Sequence, residues 1–353
     1  MNLTKTRNKN IELLRIFSIF LIIFLHMYRH ASGGAVFDSG FTLNHIFLII
    51  IGSWGLVGVF LFIIISAYFL IDSQEVKLNK LLYIAFCTTL YSLLTLFIAS
   101  VYLGQEISIK ETIKAILSPV LGNYWYITGY IVLYTLHPIL NIVIKKLTTI
   151  ELSCVVVAGF ALCFMYKYIY ASAPIENLDL FFSVYFGMGL FKRVQKKIDY
   201  RKVYISGYCA ALIVIFLGIL HMFFYNRLPI IKYIYVQSIC KFSPLMLIIA
   251  FALFCFCVNR LPIKSKLITL LSKGVLAVYL IHESDYISSI LWDNIFKIEE
   301  LYSKSYFAIL FLGIAIIIFS ICVMADFVIR PIYSFLANKI SENIEFIKKL
   351  NEK

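Results

Sequence analysis

Apolar stretches separated by short polar loops recur along almost the whole chain, and each is long enough to cross a hydrocarbon core about 30 Å thick. The pattern predicts spans near residues 11–30, 45–71, 81–103, 122–144, 150–170, 178–192, 203–225, 240–258, 267–291 and 305–329. The ninth is the most diluted, because it carries Lys273, His282, Glu283 and Asp285. No gap between spans is long enough for a separate soluble domain. The expected fold is therefore all-α, a polytopic transmembrane helical bundle of about ten spans over residues 1–336. Residues 337–353 follow as a tail in which Ile340, Ile344, Ile347 and Leu350 recur at helical spacing. That tail reads equally as an amphipathic helix on the inner membrane surface or as a frayed solvated end.

Charge adds orientation. Lys and Arg concentrate in alternate loops, as in Lys77 with Lys80 and in Lys192, Arg193, Lys196, Lys197, Arg201 and Lys202. This is the positive-inside pattern, and it places both termini in the cytoplasm. The net charge of +13 thus reports topology and not a nucleic-acid partner. Composition agrees, since 61% of residues are hydrophobic and only 14% charged, against about 25% charged in a soluble domain. The basic-then-apolar N-terminus has the look of a signal peptide, but Glu12 and Arg15 interrupt it, so a retained first span is expected. The eight cysteines lie in apolar stretches without a CxxC or Cys/His cluster, so no metal site and no permanently bound cofactor are expected.

Ionisable side chains inside a span are costly, and they mark functional sites by default. Arg15 and His26 stand eleven residues apart in the first span, three turns plus about 20°, so they share one face across a rise of about 16 Å. Glu12, Ser18, Ile22, Arg29 and His30 fall on or near the same stripe. Such a stripe should line a cavity and not face lipid. A neutral imidazole there can act as a general base, and an Arg can clamp a phosphate or carboxylate. The bland alternatives are a packing histidine and an Arg snorkelling to Glu12.

Two further spans carry polar faces. In the fourth, Tyr126, Tyr130, Tyr134, His137 and Asn141 share a side, and Trp125 sits with its tyrosines near the outer interface. In the ninth, Tyr279, His282, Asp285, Tyr286 and Ser289 project together. A different registration would leave Glu283 and Asp285 in the outer interface. His45 and His221 lie near span ends and read as interfacial. No Gly-rich phosphate loop, serine elbow, kinase set or zincin motif is present.

These residues carry a family resemblance. Arg15-x10-His26, preceded by Arg7 to Glu12, resembles the first span of acyltransferase family three, the multi-span membrane O-acyltransferases of bacterial surface polysaccharides. Gly55 to Phe62 followed by Ile65-Ser66-Ala67-Tyr68 is similar to its second. Trp125-Tyr126 with Leu133-Tyr134 and Pro138 resembles its fourth, Tyr185 to Gly189 its sixth and Val278 to His282 its ninth. The likeness covers about residues 7–335. Two positions depart from the family pattern. Ser66-Ala67 stands where Ser-Gly is common, and Lys77-Leu78-Asn79-Lys80 stands where an Arg-x-x-Arg pair is common. Lysine keeps the charge and loses bidentate phosphate binding.

The resemblance makes residues 1–336 an acyltransferase-like domain of the bacterial cytoplasmic membrane. It implies acyl-CoA, usually acetyl-CoA, as cytoplasmic donor and a glycan or lipid-linked saccharide hydroxyl as acceptor. On it, His26 and Arg15 are expected to be catalytic, and Arg15, Lys77 and Lys80 to hold the donor phosphates. His282, Asp285, Tyr130 and Trp125 are expected to bind the acceptor. Some relatives carry a fused extracytoplasmic domain that is not expected here, which leaves direct transfer or a separate partner protein. The rival is a transporter or flippase for a polar glycan or lipid. Internal symmetry and broken spans, which favour transporters, are not evident in the sequence.

Overall fold

The computed structural model describes residues 8–31, 42–52, 54–169, 177–224, 228–239, 243–261 and 263–351. Arg7 lies outside the described residues, as do the side chains of Ile347 and Leu350. The protein is all-helical, 84% helix, with no strand among the described residues. In order the helices are α1 (Lys9–Ala31), α2 (Leu43–Gly52), α3 (Gly55–Leu70), α4 (Leu78–Leu103), α5 (Ile109–Ile116), α6 (Trp125–Lys146), α7 (Thr149–Ile169) and α8 (Leu178–Val194). Then come α9 (Tyr200–Phe224), α10 (Pro229–Ser238), α11 (Pro244–Val258), α12 (Lys266–Ser272), α13 (Val275–His282), α14 (Ile298–Tyr302) and α15 (Phe307–Asn351).

Among the described residues six segments are long and apolar enough to cross a membrane, namely Lys9–Ala31, Leu43–Leu70, Leu78–Leu103, Trp125–Lys146, Tyr200–Phe224 and Phe307–Ile344. α8 and α11 are shorter. The expected ninth span is not one helix. α12 stops at Ser272, α13 runs from Val275 to His282, and a π-helical turn follows at Ile290–Ile295. The sequence hides this break because the stretch stays apolar around it. Its local cause is Gly274, a weak helix former, which lets the chain approach α15 so closely that a Cβ there would lie 3.0 Å from Val323. The expectation of unbroken spans is corrected at this point.

α1 is the central element, packed against α3 along much of its length and also touching α2, α11, α12, α13, α14 and α15. The α1–α3 contact is close because glycine permits it. A Cβ on Gly55 would stand 2.1 Å from the Leu25 Cβ, and one on Gly58 would stand 2.4 Å from the Ser18 carbonyl oxygen. Ile19, Ile23, Met27, Val57, Leu61 and Ile63 are fully buried in this seam.

Polar side chains tie helix ends together, as a membrane requires. Asn10 donates to the carbonyls of Cys257, Arg260 and Leu261 and accepts from the Ile263 amide at 3.0 Å. Asn141 donates to Leu70 O at 3.0 Å and Ser73 O at 2.8 Å and accepts the Tyr185 hydroxyl at 2.6 Å. These bonds give Asn141 a packing role, tying α6 to α3 and α8. Asp326 accepts the hydroxyls of Tyr91 at 2.9 Å and Tyr333 at 2.7 Å and pairs with Arg330, fastening α4 to α15.

Candidate active site

The stripe on α1 divides. Arg15, Ile22, His26 and Arg29 line a cavity of about 500 Å³ enclosed by α1, α3, α4, α6 and α13. The other stripe residues are used elsewhere. Glu12 pairs with Arg15 at 3.1 Å, Ser18 donates to Leu14 O at 2.7 Å, and His30 meets Asp293 at 2.8 Å. The Arg15–Glu12 pair is the bland contact foreseen for Arg15, yet the guanidinium still borders the cavity.

His26 is the centre of a buried cluster. Its Nδ1 lies 2.8 Å from Glu283 Oε2 and 3.0 Å from His282 Nε2. His282 is fully buried, and its Nδ1 donates to the carbonyl of Val278. A carbonyl only accepts, so the His282 proton sits on Nδ1 and its Nε2 is an acceptor when the ring is neutral. His26 Nδ1 must then be the donor toward both Glu283 and His282. That leaves His26 Nε2 as a basic nitrogen on a residue that borders the cavity. A histidine oriented by a carboxylate, with its second nitrogen unprotonated, is the arrangement that general-base catalysis uses.

Glu283 was not among the expected site residues, and helix geometry explains why. α13 ends at His282, and Glu283 is its C-cap. Projection at 100° per residue fails beyond that point. The turn swings Glu283 onto His26 and carries Asp285 outward, where it is exposed and pairs with Lys114 at 3.4 Å. Asp285 thus stands apart from the cavity wall. The signal that could have singled out Glu283 was its position beside His282 at membrane depth.

One end of the cavity is cationic. Lys80 borders it together with Arg15, its ammonium 4.6 Å from the Tyr134 ring centre and 5.5 Å from that of Tyr130. Lys273, freed from the helix by the break before α13, lines it too. Lys77 does not; it is exposed at the N-cap of α4, where its backbone amide donates to the Tyr134 hydroxyl at 3.0 Å. Trp125 and Tyr130 both line the wall, and Tyr126 shares a 3.3 Å hydrogen bond with Ser66. His137 lies off the cavity, fully buried against Tyr134.

His26, His282 and Glu283 also offer three donor atoms within 4.8 Å of one another, a set that could hold a metal ion. In the structure the same atoms are engaged in hydrogen bonds to each other.

Fold and site together define a helical, multi-pass membrane protein with a histidine–carboxylate pair on an internal cavity that has a cationic end. Its family follows from comparison: the acyltransferase-domain model of acyltransferase family three matches residues 8–326, and the chain belongs to that family. Comparison with curated proteins and with solved structures gives no match.

Proposed function

We propose that the protein is a membrane O-acyltransferase that moves an acetyl group from cytoplasmic acetyl-CoA to a hydroxyl of a cell-surface or lipid-linked glycan. Membership of an acyltransferase family supports the reaction class. The observation that carries the residue roles is the 2.8 Å contact between His26 and Glu283 on a cavity with a cationic end. Arg15, Lys80 and Lys273 attract the donor's phosphates, and Arg15 lies about 16 Å along α1 from His26. The pantetheine arm then lies along the cavity and brings the thioester to the histidine. His26 takes the acceptor's hydroxyl proton through Nε2, and Glu283 stabilises the imidazolium that forms. Trp125 and Tyr130 offer aromatic faces to a sugar ring. In this reading the bundle sits in the bacterial cytoplasmic membrane with about ten crossings and both termini inside, the short helices and the broken pair α12–α13 completing the count.

The test is transfer from radiolabelled acetyl-CoA in membranes carrying the wild type or His26→Ala. Label entering glycan only with the wild type is expected. Equal labelling by a folded His26→Ala protein would remove His26 from the chemistry.

A further inference from the structure

Acyl transfer needs more than a base, because the thioester carbonyl gains negative charge when the acceptor attacks. A donor must stand ready for that oxygen. A candidate lies on the cavity wall. Tyr279 lies one turn before Glu283, whose amide donates to the Tyr279 carbonyl at 3.2 Å, and both side chains line the cavity. The Tyr279 hydroxyl is buried beside the backbone amide of Tyr126, and its own O–H has no acceptor among the described residues.

Its neighbours are committed. The ring packs edge-on against Tyr124 at 5.9 Å and Tyr126 at 6.1 Å. The Tyr124 hydroxyl donates to Leu280 O at 2.9 Å, and that of Tyr126 is bonded to Ser66. Three phenols meet here, and the proton of one is left without an acceptor among the described residues. A buried hydroxyl in that state destabilises the fold, so its persistence at a reaction cavity calls for a ligand.

We propose that the Tyr279 hydroxyl donates to the oxyanion formed from an acyl thioester, which makes Tyr279 a catalytic residue beside His26. The assignment rests on the acyl-transfer reading above. The acceptor oxygen bonds to the thioester carbon while its proton passes to His26 Nε2. The carbonyl electron pair moves onto oxygen, and that oxyanion accepts the Tyr279 O–H. When the carbonyl re-forms, the C–S bond breaks and the thiolate takes the proton from His26. The products are an ester and a thiol, and no other reactant is consumed. Tyr279 keeps its proton throughout.

A merely structural Tyr279 makes the opposite prediction from a catalytic one. Removing a hydroxyl whose proton has no acceptor should change stability little. The experiment compares wild type, Tyr279→Phe and His26→Ala in membranes supplied with radiolabelled acetyl-CoA, measuring kcat, KM for acetyl-CoA and Tm. Tyr279→Phe is expected to lower kcat by about 100-fold, the lower end of the loss on removing one oxyanion donor, with KM and Tm held. A kcat close to that of the wild type would overturn the assignment and leave the acyl-transfer reading standing. Wild-type turnover no greater than that of His26→Ala would overturn both.

Discussion

Replacing Glu283 by Gln keeps the size of the side chain and removes its charge. In the wild type the carboxylate lies 2.8 Å from His26 Nδ1, on a histidine that is only 6% exposed. As His26 takes a proton it becomes a cation, and the Glu283 contact becomes a charge-assisted hydrogen bond. Such a bond contributes about 1.5–3 kcal/mol, and each 1.36 kcal/mol is tenfold in rate, so its loss lowers kcat by roughly 10- to 150-fold. A second effect adds to the first. The new amide can donate to Nδ1, which would move the ring proton to Nε2 and abolish the base. A carboxylate-to-amide swap of this kind costs up to about 10⁴ in a serine-protease triad, which bounds the loss from above. KM for acetyl-CoA should hold, because Glu283 is remote from the cationic end. The assay is the initial rate of label transfer from acetyl-CoA, normalised to protein in the membrane. A folded Glu283→Gln protein with a near-wild-type kcat would refute the idea that this carboxylate acts on His26.

Other substitutions separate binding from packing. Lys273→Ala should raise KM for acetyl-CoA by about tenfold, the equivalent of ~1.4 kcal/mol, while Lys77→Ala should change it little because Lys77 stands off the cavity wall. Saturation curves decide between them, and equal effects would show that the cavity wall does not define the donor site. Gly58→Leu should lower Tm in detergent through overpacking of roughly 1–3 kcal/mol, since even a Cβ there would lie 2.4 Å from the Ser18 carbonyl oxygen. An unchanged melting point would mean that α1 and α3 separate easily.

How far the sequence reaches depends on whether a feature is periodic. The helical character and the shared cavity face of Arg15 and His26 are readable, because α1 is regular from Lys9 to Ala31 and its face follows from residue spacing. Trp125 and Tyr130 lie early in α6, another regular helix, and both line the cavity. The failures cluster where the helix stops. Glu283 and Asp285 exchanged roles because α13 ends at His282, and no hydropathy window reports a C-cap inside an apolar run. Lys77 differs again: its charge suited the donor, but as an N-cap residue it is aimed away from the wall by the turn it begins.

The break at residues 273–274 serves both ends of the site at once. A continuous helix over 267–291 would set Lys273 and Glu283 ten residues apart along one straight axis, about 80° short of three turns. It would also leave the ninth span's polar groups in a single line, unable to close on a histidine from the side. Ending α13 early lets His282 remain in the helix, its Nδ1 tied to Val278, while Glu283 turns in to the same Nδ1 atom of His26. Starting it late releases Lys273 to the cationic end. Irregular backbone at membrane depth is tolerated only where it is buried in protein or lines a cavity, and here it does both. The carbonyls and amides that the break frees are taken up locally, as in the bonds from Gly274 N to Leu271 O at 3.1 Å and from Ser284 N to Ile281 O at 3.3 Å. The Ser284 hydroxyl then donates to Thr95 at 2.8 Å and holds the turn against α4. The same discontinuity that defeats hydropathy therefore brings a base and its carboxylate together.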